Sequence, residues 1–324
     1  MQRRDALRAA ALGTLGGLAS GWLTPAQAQA SALNVIMPIG GGTGADTSTR
    51  LLADVIGREL KRSVVIENKP GADTMIATQH VLSGSSDGSR VLFTSPSNMV
   101  IVPLVNKRLN FNPAAQLQPV ITAMRGGTSL VVKSGRFKDL AEFVAAAKRA
   151  PGQVSLATYG GHYYKLLGLM IQRELGIELN LAPYKDPAPA VNDVVGGNVD
   201  AMLSDASGAR EFFRAGKTHI LAQTHGRRPQ AFHDVPTFQE LGHPGLVAYI
   251  WTGFAVKAGT PPEVVAQLYQ SFSRALKSKE YVDYMAANSS GAEVVDLDPE
   301  QTRQYLDAER KRFAALIDKT GYTA

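Results

Sequence analysis

Hydrophobic residues in this chain follow two alternating rhythms. From Leu33 onward, short runs rich in Val, Ile and Leu are bounded by Gly, Pro, Asn and Ser, and between them apolar residues return every three or four positions. The short runs predict strands at 33–37, 64–67, 90–94, 120–123, 129–133, 154–158, 179–183, 201–203, 219–223 and 252–256, with helices between most of them. Such alternation predicts an α/β architecture with largely parallel sheets. In the first helix, Leu51, Leu52, Val55, Ile56 and Leu60 form one apolar stripe, with Asp46 ahead of it as the expected N-cap. A last helix is expected to open at Asp298, with Pro299 in its first turn and Gln301 as capping-box partner, and to run to about Ile317.

One sheet would hardly hold this many strands, and no Pro/Gly/Ser linker divides the chain. Two lobes joined by crossing strands resolve this, with the crossings expected near 120–133 and 250–256. The expected division is lobe 1 at 31–125 plus 246–324 and lobe 2 at 126–245. A chain of 324 residues, 44% hydrophobic, can bury a core of that size. A cleft between two lobes is a natural small-molecule site.

Residues 1–30 stand apart from that core. Arg3 and Arg4 open a basic segment, an Ala/Leu/Gly run follows, and AQAQA closes it with the small residues signal peptidase accepts. We read an export signal cleaved after Ala28 or Ala30, with the paired arginines favouring the twin-arginine over the general secretory route. The apolar run is about 15 residues, short of the roughly 20 a membrane anchor needs. The expected location is the periplasm. The chain has no cysteine, which excludes disulfides and thiol catalysis. The signal carries three Arg and one Asp, so cleavage lowers the net charge from +6 to +4. The basic residues are scattered, giving no footprint for nucleic acid.

Candidate chemistry centres on MPIGGGTGADTSTRLL, residues 37–52. Gly40, Gly42 and Ala45 fit G-x-G-x-x-A after a strand, and Glu67 follows 22 residues beyond Ala45. Taken literally, this is a dinucleotide-binding motif and the protein an exported NAD(P) oxidoreductase. The supporting chemistry is missing, because none of the ten tyrosines has a lysine four positions later. The six histidines show no metal-ligand spacing, and GSSDG at 84–88 precedes a strand where a nucleophile elbow would follow one. A second glycine-bearing turn, ATYGGHYYKL at 157–166, repeats the strand, glycine, helix layout. Backbone N–H groups at helix starts favour anions, carboxylate as well as phosphate, and two such turns facing one cleft would grip an acid from both sides. For Tyr163 and Tyr164 the alternative is core or interface packing, and for Lys165 a solvated helix face.

Nearly the whole chain beyond the signal resembles the Bug-type periplasmic solute receptors of tripartite tricarboxylate transporters. PIGGGTGADTSTRLLA, VVIENKPGA, SDGSRVLFTSPS, APYKDPAPAVNDVVGGNVDAM, HDVPTFQELG and WTGFAVKAGTPPEVVAQL carry the likeness, in the family's order. The resemblance implies a two-lobed, type II periplasmic-binding fold that closes on a small carboxylate, a dicarboxylate, amino acid or aromatic acid. It implies delivery to membrane permease subunits by a monomer, with no cofactor, metal or catalysis. A receptor used only for ligand sensing is the alternative within the family.

The resemblance also implies a ligand-binding set. Gly42, Thr43 and Asp46 form the loop after the first strand, with Asp46 holding it. Ser95 and Ser97 line the cleft after the third strand. Thr158, Gly160, Gly161, His162 and Tyr163 form the second lobe's carboxylate loop, and Ser204 and Asp205 end a second-lobe strand. Where the family usually carries a Ser/Thr-rich run ending in His, this chain has His162, Tyr163, Tyr164 and Lys165, and Ser204 replaces the family's cleft Asp. Rings in place of hydroxyls shift the expected ligand toward an aromatic or less polar acid and away from citrate. On this reading Glu67 is a structural residue of the ENKPGA turn.

Overall fold

The computed structural model describes residues 32–323 except 110, 160, 206–209 and 289–290. The expected export signal and Gly160 lie outside the described residues. The strands in chain order are β1 (Leu33–Met37), β2 (Val64–Asn68), β3 (Arg90–Thr94), β4 (Leu117–Gly126), β5 (Thr128–Lys133) and β6 (Ser155–Thr158), followed by β7 (Asn180–Pro183), β8 (Ala201–Asp205), β9 (Thr218–Gln223), β10 (Ile250–Lys257) and β11 (Glu293–Leu297). They form a six-stranded sheet ordered β11-β4-β10-β3-β1-β2 and a five-stranded sheet ordered β7-β6-β8-β5-β9.

The apolar runs mark all of these except β11. Its sequence, EVVDL, sets only two valines between acids, too short an apolar run to stand out, and it pairs only with β4 at the sheet edge. The expectation of largely parallel sheets is corrected. β1 pairs in parallel with β2 and β3, and β6 with β7 and β8, whereas β10 runs antiparallel to β3 and β4, and β5 antiparallel to β8 and β9. Crossing strands are the reason: β4 carries the chain out of the first sheet and β10 brings it back, so the two must run in opposite directions.

β1 shows why the large sheet is stable. Leu33, Val35 and Met37 point into a core shared with Leu52 and Ile56 of α1 (Gly44–Leu60), while Ile36 points to the other face. Phe93, Phe254 and Phe272 extend the α1-side core through edge-on and stacked ring contacts. The opposite core is continuous from Leu92 and Ala255 to Leu130, Leu156 and Leu203 of the second sheet. Burying each such side chain contributes roughly 1.5–3 kcal/mol.

Between β4 and β5 stands a single residue, Gly127. Its N–H donates to His225 Nε2 at 2.8 Å, the Thr128 N–H donates to Thr224 Oγ1 at 2.8 Å, and the Thr224 hydroxyl donates to the Ala248 carbonyl at 2.6 Å. Three chain segments are thus stitched together where the sheets meet. A Cβ on Gly127 would lie 2.3 Å from the His225 ring, so the approach requires glycine.

The Gly127 N–H finds an acceptor in Nε2 only while that nitrogen is unprotonated; a proton there would instead face the Gly291 carbonyl at 3.2 Å. Burial pushes the imidazole below its ordinary value of 6.5, against the opposing pull of the Gly291 carbonyl and Glu293. A group depressed in this way stabilises the fold above its unfolded pKa, and that contribution is lost as pH falls through the folded value. Thermal melts should therefore show stability declining as pH drops below about 6.5. His225→Gln, which keeps an acceptor but cannot ionise, should flatten that decline; an unchanged pH profile would count against the role.

Candidate functional site

The loop leaving β1 is built around a buried carboxylate. Thr43, not Asp46, caps α1: its Oγ1 accepts the Asp46 N–H at 3.2 Å, which corrects the expected cap and moves the helix start to Gly44. Asp46 lies in the first turn and faces back into the loop. Its carboxylate accepts from the Gly42 N–H at 2.9 Å, from Asn68 Nδ2 at 2.8 Å, and from both Nε and Nη2 of Arg50. Asn68 Nδ2 also donates to the Ile39 carbonyl, so the end of β2 and the loop are tied into one unit. Gly42 adopts φ +82° to make this turn, a conformation glycine takes without strain. Burial alone would raise the Asp46 pKa, but the hydrogen bonds from Arg50, Asn68 and Gly42, with Arg50's charge, hold it at about 2.

With Asp46 occupied inward, the outward-facing part of the helix start is Gly44 and Ala45. They line a cavity of about 210 Å³ together with Ser48, Thr49 and Leu52 of α1, the end of β4 from Ala123 to Gly126 with Gly127 after it, Ile250, Thr252 and Phe254 of β10, and the helix Lys279–Asn288. From the second sheet, Asp205 completes the wall. The cavity thus sits beside the Gly127 crossing, where strand ends of both sheets converge. Of the site residues expected from sequence, Asp205 lines it; Gly42, Thr43 and Asp46 build the loop behind Gly44.

The remaining candidates are placed elsewhere. Ser95 and Ser97 form the turn after β3, shaped by Asn98, whose Oδ1 accepts the Ser95 N–H at 2.8 Å and whose Nδ2 donates to the Phe93 carbonyl. Thr158 is buried at the end of β6, and Ser204 is buried with its hydroxyl on the Asp205 carbonyl. Gly161, at φ +80°, opens the helix His162–Leu175. Tyr163 and Tyr164 are buried: Tyr163 packs on Tyr164 and Phe313, and Tyr164 stacks on Tyr159 with their hydroxyls 3.2 Å apart. Burial raises the pKa of all three phenols, keeping them neutral. These rings belong to the core. Lys165 reaches over the Tyr322 ring at 5.2 Å.

His162 makes a connection that sequence reading did not anticipate. Its Nε2 lies 3.3 Å from Asp73 Oδ2 and its Nδ1 2.6 Å from the Tyr322 hydroxyl. A carboxylate only accepts, so Nε2 carries hydrogen toward Asp73, and Nδ1 is paired with the Tyr322 hydroxyl. Asp73 sits in a segment, Ala72 to Thr74, whose three residues all have positive φ. Such backbone costs roughly 1–2 kcal/mol per residue, and here it brings Asp73 to the helix start of the other sheet. ENKPGADT marks a turn, but nothing local marks Tyr322 as its distant neighbour. Glu67 pairs with Lys69 at 3.3 Å and lies 3.9 Å from His80, on the outside of the turn. Among the described residues, no group of three or more His, Asp or Glu could hold a metal ion.

Two α/β lobes joined through crossing strands, with a cavity where they meet, define the class of two-lobed periplasmic solute-binding proteins. The family model of the tripartite tricarboxylate transporter family receptor matches residues 48–322, so the chain belongs to that family. Protein BugT of Bordetella pertussis is 32% identical over 294 residues, covering 89% of each chain. The solved structure of the periplasmic binding protein BugD matches with a TM-score of 0.78 at 28% identity, over 90% of this chain and 98% of that one. MatC from Rhodopseudomonas palustris, solved with bound malate, matches with a TM-score of 0.78 at 25% identity, over 89% and 99%. The family and these neighbours are solute-binding receptors rather than enzymes, and they place the protein among periplasmic proteins.

Asp46→Ala would leave the Gly42 N–H and Asn68 amide without their acceptor. Discounting the Arg50 pair because Arg50 is half exposed, the expected loss is about 2 kcal/mol. Because the Asp46 pKa is lowered from 3.8 to about 2, this support should be intact above pH 3.8 and fade as pH approaches 2. Chemical denaturation of wild type and variant at neutral pH measures the difference; equal stabilities would sink the assignment.

Proposed function

We propose that this protein is a periplasmic receptor that captures a small carboxylate between its lobes for a tripartite tricarboxylate-type transporter. The observation that carries this reading is the start of α1: Gly44 and Ala45 open on a cavity at the junction of the two sheets, in a chain of a receptor family. A helix start carries about half a positive charge and unsatisfied N–H donors, which suits one carboxylate. BugD is a periplasmic binding protein and MatC binds malate, which supports a carboxylate ligand for this chain as well.

In this reading lobe 1 comprises 31–125 plus 246–324 and lobe 2 comprises 126–245. Of the expected set, Asp205 stands in the cavity wall and Gly42 to Asp46 behind its helix start, while Ser95, Ser97, the 158–163 turn and Ser204 would act from outside that wall, Thr158, Tyr163 and Ser204 from buried positions. The Asp73 to His162 contact ties one side of that cleft to the other, so His162 acts through closure. Residues 1–30 direct export and are removed after Ala28 or Ala30, and the monomer hands its ligand to membrane permease subunits without catalysing a reaction.

Thermal-shift screening of residues 31–324 against mono-, di- and tricarboxylates tests the proposal. A ligand at a hundred times its Kd stabilises by about 2.7 kcal/mol, which should raise the melting temperature by roughly 5 °C. If NAD(P)H produces such a shift while no acid does, the glycine turn serves a dinucleotide and the receptor reading falls.

A further inference from the structure

Resting on the receptor reading, the cavity's own walls narrow which acid it accepts. We propose that it takes a monocarboxylate with a compact apolar body, such as a single aromatic ring, the carboxylate meeting the start of α1 and the body lying against the wall of α1, β4, β10 and the helix Lys279–Asn288.

The lining supports this in three ways. First, its side chains are mainly hydrocarbon and ring: Leu52, Phe93, Met124, Phe254, Tyr284 and Met285. Second, its polar side chains are largely spent on the protein. Ser48 and Thr49 donate to the Ala45 carbonyl, and the Tyr281 hydroxyl lies 2.8 Å from Met124 Sδ. Third, the charges are wrong for a polyacid. Arg125 is the only cationic side chain among the described lining residues, and its Nε already donates to Glu293 at 2.6 Å while its guanidinium covers the Tyr249 ring.

The Gly44 and Ala45 N–H groups have no acceptor among the described residues, whereas the Asp46 and Thr47 N–H groups are already bonded to Thr43. One carboxylate is therefore served. A second would enter a mainly apolar wall whose one cationic side chain among the described lining residues, Arg125, is already paired with Glu293, and would lose hydration for little return. Size agrees as well. An apolar cavity of about 150 Å³ suffices for benzene, and this one measures about 210 Å³.

Isothermal titration of residues 31–324 with benzoate, phenylacetate, cyclohexanecarboxylate, malate and citrate tests the inference. The ring-bearing monocarboxylates should bind at least ten-fold tighter than malate or citrate. Met285→Trp, at a partly exposed position, should fill the cavity and weaken them at least ten-fold; Tyr284→Trp provides the same test should the first variant fold poorly. Tight binding of malate or citrate with no ring acid bound overturns the inference and leaves the receptor reading standing. Ring-acid binding that survives cavity filling in a variant with wild-type melting temperature overturns the location. If none of the acids on the wider panel binds, the receptor reading itself fails and the inference falls with it.

Discussion

The fold turns on one tight passage. Between β4 and β5 the chain moves from one sheet to the other through Gly127 alone, and the His225 ring fills the space a side chain would need there. Because the passage is so short, strand β4 and the returning strand β10 lie side by side and antiparallel, and Thr224 and Ala248 are bonded into the same junction. The cavity is a consequence of this geometry. Residues Met124 to Gly127 and Ile250 form its floor because the crossing strands end there, and Asp205 reaches it because β8 pairs with β5 directly after the crossing.

Electrostatics at the cleft are arranged by the same economy of space. Asp46 is buried, yet it remains ionised because four donors converge on it, and that convergence leaves it facing the loop. Turning the acid inward, against Arg50, Asn68 and Gly42, leaves the Gly44 and Ala45 N–H groups facing outward. At the second glycine turn, His162 is engaged by Asp73 and Tyr322, so that helix start is tied to the Ala72–Thr74 segment. The two glycine turns, alike in sequence, thus make different contacts.

Much of this was legible in the chain itself. Short runs rich in Val, Ile and Leu located ten of the eleven strands. The edge strand β11 escaped because its apolar run is only two valines between Glu293 and Asp296, whereas the edge strand β2 keeps Val64, Val65 and Ile66 in a row. The capping box at Asp298 and Gln301 is formed as its spacing predicts, a purely local interaction. By contrast, Thr43 and Asp46 are both good caps, and only the position of Asn68, brought in by the pairing of β1 with β2, decides that Asp46 turns inward.

What the sequence determined by itself, then, is whatever depends on neighbours along the chain: the alternation of elements, the two anion-favouring helix starts, and the motifs that carry the receptor family. Tertiary structure decided which of those features meet. Tyr163 and Tyr164 suggested an aromatic ligand from sequence, yet packing against Phe313 and Tyr159 places them in the core. The apolar walls of the cavity come from Phe93, Met124, Phe254 and Met285, four residues on four separate elements that read in isolation as ordinary core. No local pattern records that they face one another across a gap, because a cavity is defined by where packing stops, and that depends on every element around it.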